Sequence, residues 1–435
     1  MVGESKMKKY ILNGFVVAAL LFAASCKPEI ESPASTTAGQ ANFSKYIAVG
    51  NSLTSGYADG GLYLEGQKVA YPNLIAEKMA TVGGGSFTSP FFTDAQANGS
   101  GYLSLTALVN GTPTIAPVAG NAFRPGSTTF LTKYTGEVQN LGIPGMRVDL
   151  AFAAPYGAAN QYMERLLTDA QVGTVSYFQF IQGRNHTFFS LWLGNNDALG
   201  YATNGGVTTD ATNVLTDKST FSLLYSNLVN TLTAGGQKGI VATIPDVTAI
   251  PYFNTVTASA LLAAAKASNP AAAAAIFIQT GTGAVRIATN EDLIRLPFQS
   301  AGLFGVPNAS GIPYGLHPLN PIANNWVLDK DEVLKVKDYV NSYNSSIKSL
   351  ANGKGLAIAD VYNYLNQVKT GIMVNGVGIN SSFITGGAFS LDGVHLTPRG
   401  NALIANLFVD AINTKYGSTI PVVDVSQYRG IKFPN

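Results

Sequence analysis

A chain of 435 residues has room for two or three average domains or for one elaborated domain, and 46% apolar residues suffice for a large core. A formal net charge of +2 with only 12% charged residues creates no field toward a polyanion, so nucleic-acid binding is disfavoured.

The first element is N-terminal. Lys6, Lys8 and Lys9 precede an apolar run, residues 10–24, that ends at Ser25 and Cys26, the sole cysteine. Positive residues, a short apolar segment and small residues form a secretory signal, and the run is too short for a spanning helix. Export is therefore expected. Small residues before a single cysteine resemble the lipobox of bacterial lipoproteins, in which the cysteine is lipidated and becomes the new N-terminus; Ala23 stands where that pattern usually has Leu. An ordinary signal with an incidental cysteine is the plainer alternative, although a lone thiol at the cleavage point has no other evident purpose in an oxidising compartment. The lipoprotein reading makes residues 1–26 the signal and Cys26 the lipidation site. It makes the membrane a partner through the anchor, at the outer membrane or cell surface. Residues 27–43, polar and rich in Pro, Ser and Thr, suit a flexible tether to a domain over 44–417, with 418–435 as a C-terminal tail.

Past residue 44, short apolar runs alternate with helical patterns. Residues 46–49, 138–141, 188–193, 240–244 and 356–361 are nearly continuous in apolar character, as expected for strands covered on both faces. Residues 217–234 carry Phe221, Leu224, Tyr225, Leu228 and Leu232 at helical spacing, and 329–350 is helical in composition. Near the C-terminus Thr397 caps a helix that Pro398 opens, with Leu403, Ile404, Leu407, Phe408 and Ile412 as its buried stripe. This alternation predicts an α/β fold with a parallel sheet covered by helices on both sides. Two stretches interrupt it, at about 81–135 and 247–328. Both are sparse in charge and carry aromatic residues: Phe87, Phe91, Phe92, Tyr102, Phe123 and Phe130 in the first, Phe298, Phe304, Tyr314 and Trp326 in the second. Either they form an apolar substrate cleft over one end of the sheet, or they pack on themselves.

The chemistry-bearing residues cluster at the ends of these runs. Ser52 closes the first strand in Gly-Asn-Ser-Leu, where it is either a nucleophile or a polar residue in an ordinary turn. A hydrolytic serine needs a base and a group that fixes the base's tautomer. Asp392 and His395, three residues apart before the C-terminal helix, have the spacing for that pair, although acids near histidines are common on surfaces. Oxyanion donors are offered by Asn195 and Asn196 after the 188–193 run and by Gly145, whose N–H no side chain obstructs. Each taken alone is more often a Gly/Asn turn. His186 reads as a loop residue at the start of a strand, and His317 lies in the second insertion with a weaker claim to touch substrate. No metal-ligand spacing, phosphate loop or dinucleotide fingerprint is visible.

In chain order, GNSL, NLGIPG, LGNND and DGVH resemble the four signature blocks of the SGNH, or GDSL, hydrolases. The resemblance implies a three-layer α/β/α sandwich of flavodoxin-like type and hydrolysis of carboxylic esters, including lipids and acetylated sugars, without a cofactor or metal. It implies that Ser52 is the nucleophile and first oxyanion donor, Gly145 and Asn196 the further donors, His395 the base and Asp392 its orienting acid. Asn51 departs from the Asp usual before the nucleophile, implying lost or retuned efficiency at most. A serine on the first strand, with acid and base sharing one turn, also differs from the mid-sheet elbow of the α/β-hydrolases. A serine esterase or lipase is therefore expected, acting on a small-molecule or lipid ester, with an acyl (lipid-like) group favoured by the aromatic insertions. The alternatives are a lipid- or glycan-binding lipoprotein without turnover, an acetyl-carbohydrate esterase, or an acyltransferase.

Overall fold

The computed structural model describes residues 36–268 and 274–434. The signal segment, Cys26 and the tether up to residue 35 lie outside the described residues. Five parallel strands form the central sheet: β1 (Tyr46–Gly50), β2 (Asn140–Gly142), β3 (Phe188–Trp192), β4 (Lys238–Ala242) and β5 (Ala357–Ala359). Their order across the sheet is β5-β4-β3-β1-β2. The chain thus steps from β1 to β2 on one side and then resumes at β3 on the other. The crevice between β1 and β3 is a topological switch point, where open α/β sheets bind their ligands.

The strands form as their composition predicts. Every residue of β1, β2 and β3 is buried, which is possible only with a layer on each face. On one face α2 (Tyr71–Met79) packs with α6 (Pro398–Tyr416), and Trp192 sits 5.5 Å from the Tyr71 ring and 6.0 Å from Phe408. On the other, α4 (Lys218–Leu232) packs with α5 (Lys330–Gly353), where Phe221 stacks on Tyr343 at 3.9 Å. The expected α/β/α sandwich is what the chain adopts. Thr397 caps α6 by accepting from Gly400 N–H, and Asp329 and Glu332 cap α5 reciprocally.

Two ends of the domain differ from expectation. Residues from 37 onward are packed rather than free: Gln40 N–H donates to Tyr416 C=O at 2.8 Å, and Phe43 is 1% exposed against Phe188, 4.9 Å away. Residues 418–434 lie along the domain too, with Ile420, Val423, Val425 and Ile431 buried. Polar composition points to a tether over 27–43, but Ala41 and Phe43 are buried at its end, and the apolar residues of 418–434 draw that segment onto the domain. Among the described residues, no helix is long and apolar enough to cross a membrane.

The two insertions carry structure of their own. The first holds an antiparallel hairpin, Gly101–Val109 with Thr112–Ala119. In the second, Phe298 is buried in a separate small core with Phe304, Tyr314 and Trp326 against it. Truncation of Phe43 tests whether the N-terminal lead-in belongs to the fold. Phe43→Ala should cost about 3–5 kcal/mol, as for other large-to-small core changes, read as a lower urea midpoint; an unchanged midpoint would contradict the packing.

Candidate active site

The site is built on the C-terminal ends of β1, β2 and β3, which finish level because Gly50 pairs with both Gly142 and Trp192. A side chain at Gly50 would meet Thr54 Oγ1 at 2.0 Å and Trp192 C=O at 2.7 Å, so the close approach requires glycine. The chain then turns into α1 (Ser52–Ser55), a single helical turn capped by Asn51 Oδ1 and closed by Gly56 in the left-handed region. Ser52 at its start is 6% exposed and faces the crevice.

Residues 343 positions apart meet here. His395 Nε2 is 2.9 Å from Ser52 Oγ, and His395 Nδ1 is 2.9 Å from Asp392 Oδ2. Asp392 is also held by its own turn: Oδ1 accepts from Ser390 Oγ at 3.0 Å and from the N–H groups of Val394 and His395, each at 2.8 Å, and Oδ2 accepts from Gly60 N–H at 2.8 Å. Burial pushes this carboxyl up, but the facing imidazole and the converging N–H donors outweigh it and hold the carboxyl well below the usual carboxylate range. The ionised acid therefore directs an N–H at Nδ1 and leaves Nε2 a lone pair toward the serine.

Gly145 and Asn196 line the same cleft as Ser52 and His395. Gly145 has φ +80°, which glycine adopts freely, so Pro144 before it does not spoil the turn. Among the described residues the N–H groups of Ser52 and Gly145 donate to no protein acceptor. Asn196 Nδ2 spends one N–H on Met146 C=O at 2.9 Å and retains a second. The open cleft, about 420 Å³, is completed by Tyr57, Asn160, Gln161, Tyr162 and Leu199. Tyr57 lies 4.7 Å from the His395 ring.

The family sequence pattern described as GDSL-like lipase/acylhydrolase matches residues 46–408. The chain belongs to this family. No curated protein matches the chain. Membership supports an acylhydrolase activity on small ester substrates, and the blocks quoted above fall inside the matched span.

Several expectations change at this site. Among the described residues neither insertion lines the cleft at Ser52; its walls come from the ends of β1–β3, the 144–145 turn and residues 159–162. The aromatic residues that had favoured a lipid-like acyl group are used elsewhere, Phe298 in the second small core and Phe92 in another with Phe123 against it. Asn51 is 1% exposed and caps α1 through Leu53 N–H at 3.2 Å, while its buried Nδ2 has no hydrogen-bond partner among the described residues. His186 is 8% exposed, its ring nitrogens 3.0 and 2.9 Å from the carbonyls of Arg184 and Leu232. His317 accepts from Leu319 N–H and is not part of the cleft wall.

Sequence reading missed Arg147, because an arginine two residues past a turn carries no signal of burial. It is 1% exposed and forks onto Asp149 at 2.9 and 2.8 Å. Its remaining N–H groups reach the carbonyls of Asn196, Thr212 and Val214 and the Thr216 hydroxyl. The guanidinium thereby fastens the Gly145 turn to the start of α3 (Asn196–Thr203).

Asp197 completes this staple, accepting from Val148 N–H at 2.9 Å. Burial pushes its carboxyl up to about 7, against the pull of Arg147. Thr216 Oγ1 lies 2.7 Å from Asp197 Oδ1 and 3.0 Å from Asp149 Oδ2, yet has one hydrogen to give. A proton on Asp197 resolves this, since Asp197 then donates to Thr216 and Thr216 to Asp149. An unfolded aspartate ionises near pH ~4, so from about pH 4 to 7 the folded chain binds the extra proton and stability falls as pH rises. Asp197→Asn keeps a donor for Thr216 and an acceptor for Val148. Wild type should therefore lose stability relative to this variant between about pH 5 and about pH 8; urea midpoints that differ by a constant across that range would refute the protonated assignment.

Proposed function

We propose that the protein is a serine ester hydrolase that works through an acyl-enzyme. Ser52 Oγ attacks the ester carbonyl carbon while His395 Nε2 takes its proton, and Asp392 keeps the imidazole in register and stabilises the imidazolium. The oxyanion is received by the N–H groups of Ser52 and Gly145 and by the spare N–H of Asn196. The intermediate then expels the alcohol, which leaves with the proton from His395. Water, activated by the same histidine, attacks the acyl-Ser52 ester, releases the acid and restores the serine. The unbroken hydrogen-bonded line from Ser52 through His395 to the ionised Asp392, opening onto a cleft with unspent donors, is the observation that carries this reading.

The cleft favours a short acyl group on a small ester. Its walls are tyrosine rings, amides, Pro144 and Leu199, and among the described residues none of its lining comes from the insertions. A fluorophosphonate probe should label wild type at Ser52, and a panel of chromogenic esters from acetyl to long acyl should show highest kcat/KM at the short end. Ser52→Ala should abolish both, and Asn196→Ala should lower kcat by about 10²–10³. A folded wild type that is neither labelled nor active would leave the lipid- or glycan-binding alternative; activity that survives Ser52→Ala would refute the nucleophile.

Export and lipid anchoring at Cys26 belong to the same proposal, supported by the residues that precede the cysteine. Labelled palmitate should enter the wild-type chain in a bacterial envelope and be lost in Cys26→Ser. Labelling that persists would show that the anchor is elsewhere.

A further inference from the structure

Asp392 takes one of its hydrogen bonds from outside its own turn, and that bond leads to a buried aspartate. Gly60 N–H, the donor to Asp392 Oδ2, belongs to a tight turn in which Ala58 and Gly61 exchange both backbone bonds. Asp59, between them, is 8% exposed and has φ +51°, the left-handed region that few residues other than glycine enter. Aspartate is among those few, because its short polar side chain can bond locally. Every polar group of Asp59 is engaged. Its N–H donates to Ser390 Oγ at 2.9 Å, Oδ1 accepts from Leu391 N–H at 2.9 Å, Oδ2 accepts from Tyr63 O–H at 2.7 Å, and its C=O accepts from Leu103 N–H at 2.7 Å.

Those bonds join three segments distant in sequence. Ser390 and Leu391 lead into the Asp392–His395 turn, Gly60 follows Ser52 in the chain, and Leu103 lies on the hairpin of the first insertion. The hairpin fits the turn closely: a Cβ at Gly61 would stand 1.6 Å from Gly101 C=O. Beneath it, Leu105, Ile384, Leu391 and Ile431 form one buried cluster. The first insertion is therefore braced against the acid's turn rather than spread over the cleft.

We propose that Asp59 is a positioning residue for the acid, holding the Gly60 N–H and the 390–392 backbone so that Asp392 Oδ2 meets His395 Nδ1, with the insertion hairpin as its buttress. The proposal rests on the serine hydrolase reading for its effect on rate, but not for its geometry. Loss of the Asp59 carboxylate frees Leu391 N–H and Tyr63 O–H and lets the 58–61 turn drift from Asp392, and misplacement of a reacting group by about 1 Å can cost as much as 10²-fold in rate.

The test uses the full chain with Asp59→Gly, which removes the carboxylate without left-handed strain, and Asp59→Asn, which keeps an acceptor and tolerates the same φ. Asp59→Gly should lower kcat by about 10- to 100-fold with KM within about threefold, and Asp59→Asn should restore kcat to within about threefold of wild type. A second readout needs no turnover. The downfield proton resonance of His395 Nδ1–H should persist in wild type and in Asp59→Asn and broaden by solvent exchange in Asp59→Gly. A folded Asp59→Gly with that resonance unchanged and kcat within twofold of wild type would overturn the assignment. If wild type turns over no ester, the hydrolase reading falls, and the resonance alone decides the role of Asp59.

Discussion

A largely buried carboxylate that stays ionised is the constraint on which the site depends. Removed from water, a lone carboxylate takes up a proton, and a protonated Asp392 could no longer impose a tautomer on His395. The chain prevents this with donors from Ser390, Val394 and His395 within the turn and from Gly60 outside it. The outside donor can arrive only if the segment after α1 lies against the segment before α6. The sheet supplies that meeting by ending β1 beside β3 at the switch point, so the chain crosses from residue 52 to residue 395 over one crevice.

The insertions are better understood as braces than as a lid. Each buries an aromatic residue in a small core, Phe92 in the first and Phe298 in the second, which removes apolar area from water without presenting it to the cleft at Ser52. Arg165, 3% exposed, lies 4.3 Å over the Phe92 ring and donates to Pro90 C=O at 2.7 Å, so the first insertion is pinned by a desolvated cation as well as by apolar contact. The space at Ser52 is left to residues that the framework holds in place: Asn160 donates to Pro144 C=O at 2.8 Å and caps the turn that carries Tyr162. A wall of this kind is preformed, and its tyrosines and amides set the polarity met by an incoming ester.

What could be read from the sequence was local or periodic. The five strands showed as apolar runs because strands buried on both faces need no alternation, and α6 showed through Thr397, Pro398 and its stripe. Asp392 and His395 showed because one turn places them, so their spacing encodes their geometry. Asp59 and Arg147 did not show. Their roles are created by backbone groups that arrive from more than sixty or three hundred positions away, such as Val214 C=O on Arg147 and Leu391 N–H on Asp59. The lead-in is a related case: Phe43 is an apolar exception in a polar stretch, and only the fold shows that a hydrophobic surface waits for it.

The same contrast explains why the two sides of the serine are built differently. On the donor side, Arg147 and Asp197 form a closed, buried staple that fixes the Gly145 turn against the start of α3. On the acid side, the support is a single turn, with Asp59 in the left-handed region, that leans on a hairpin and brings the Gly60 N–H to Asp392. Asn51 belongs to neither side. Its Oδ1 accepts from Leu53 N–H and so holds the first turn after β1. The departure from the family's Asp therefore falls on the geometry of the serine's helix turn and leaves the Asp392–His395 pair untouched.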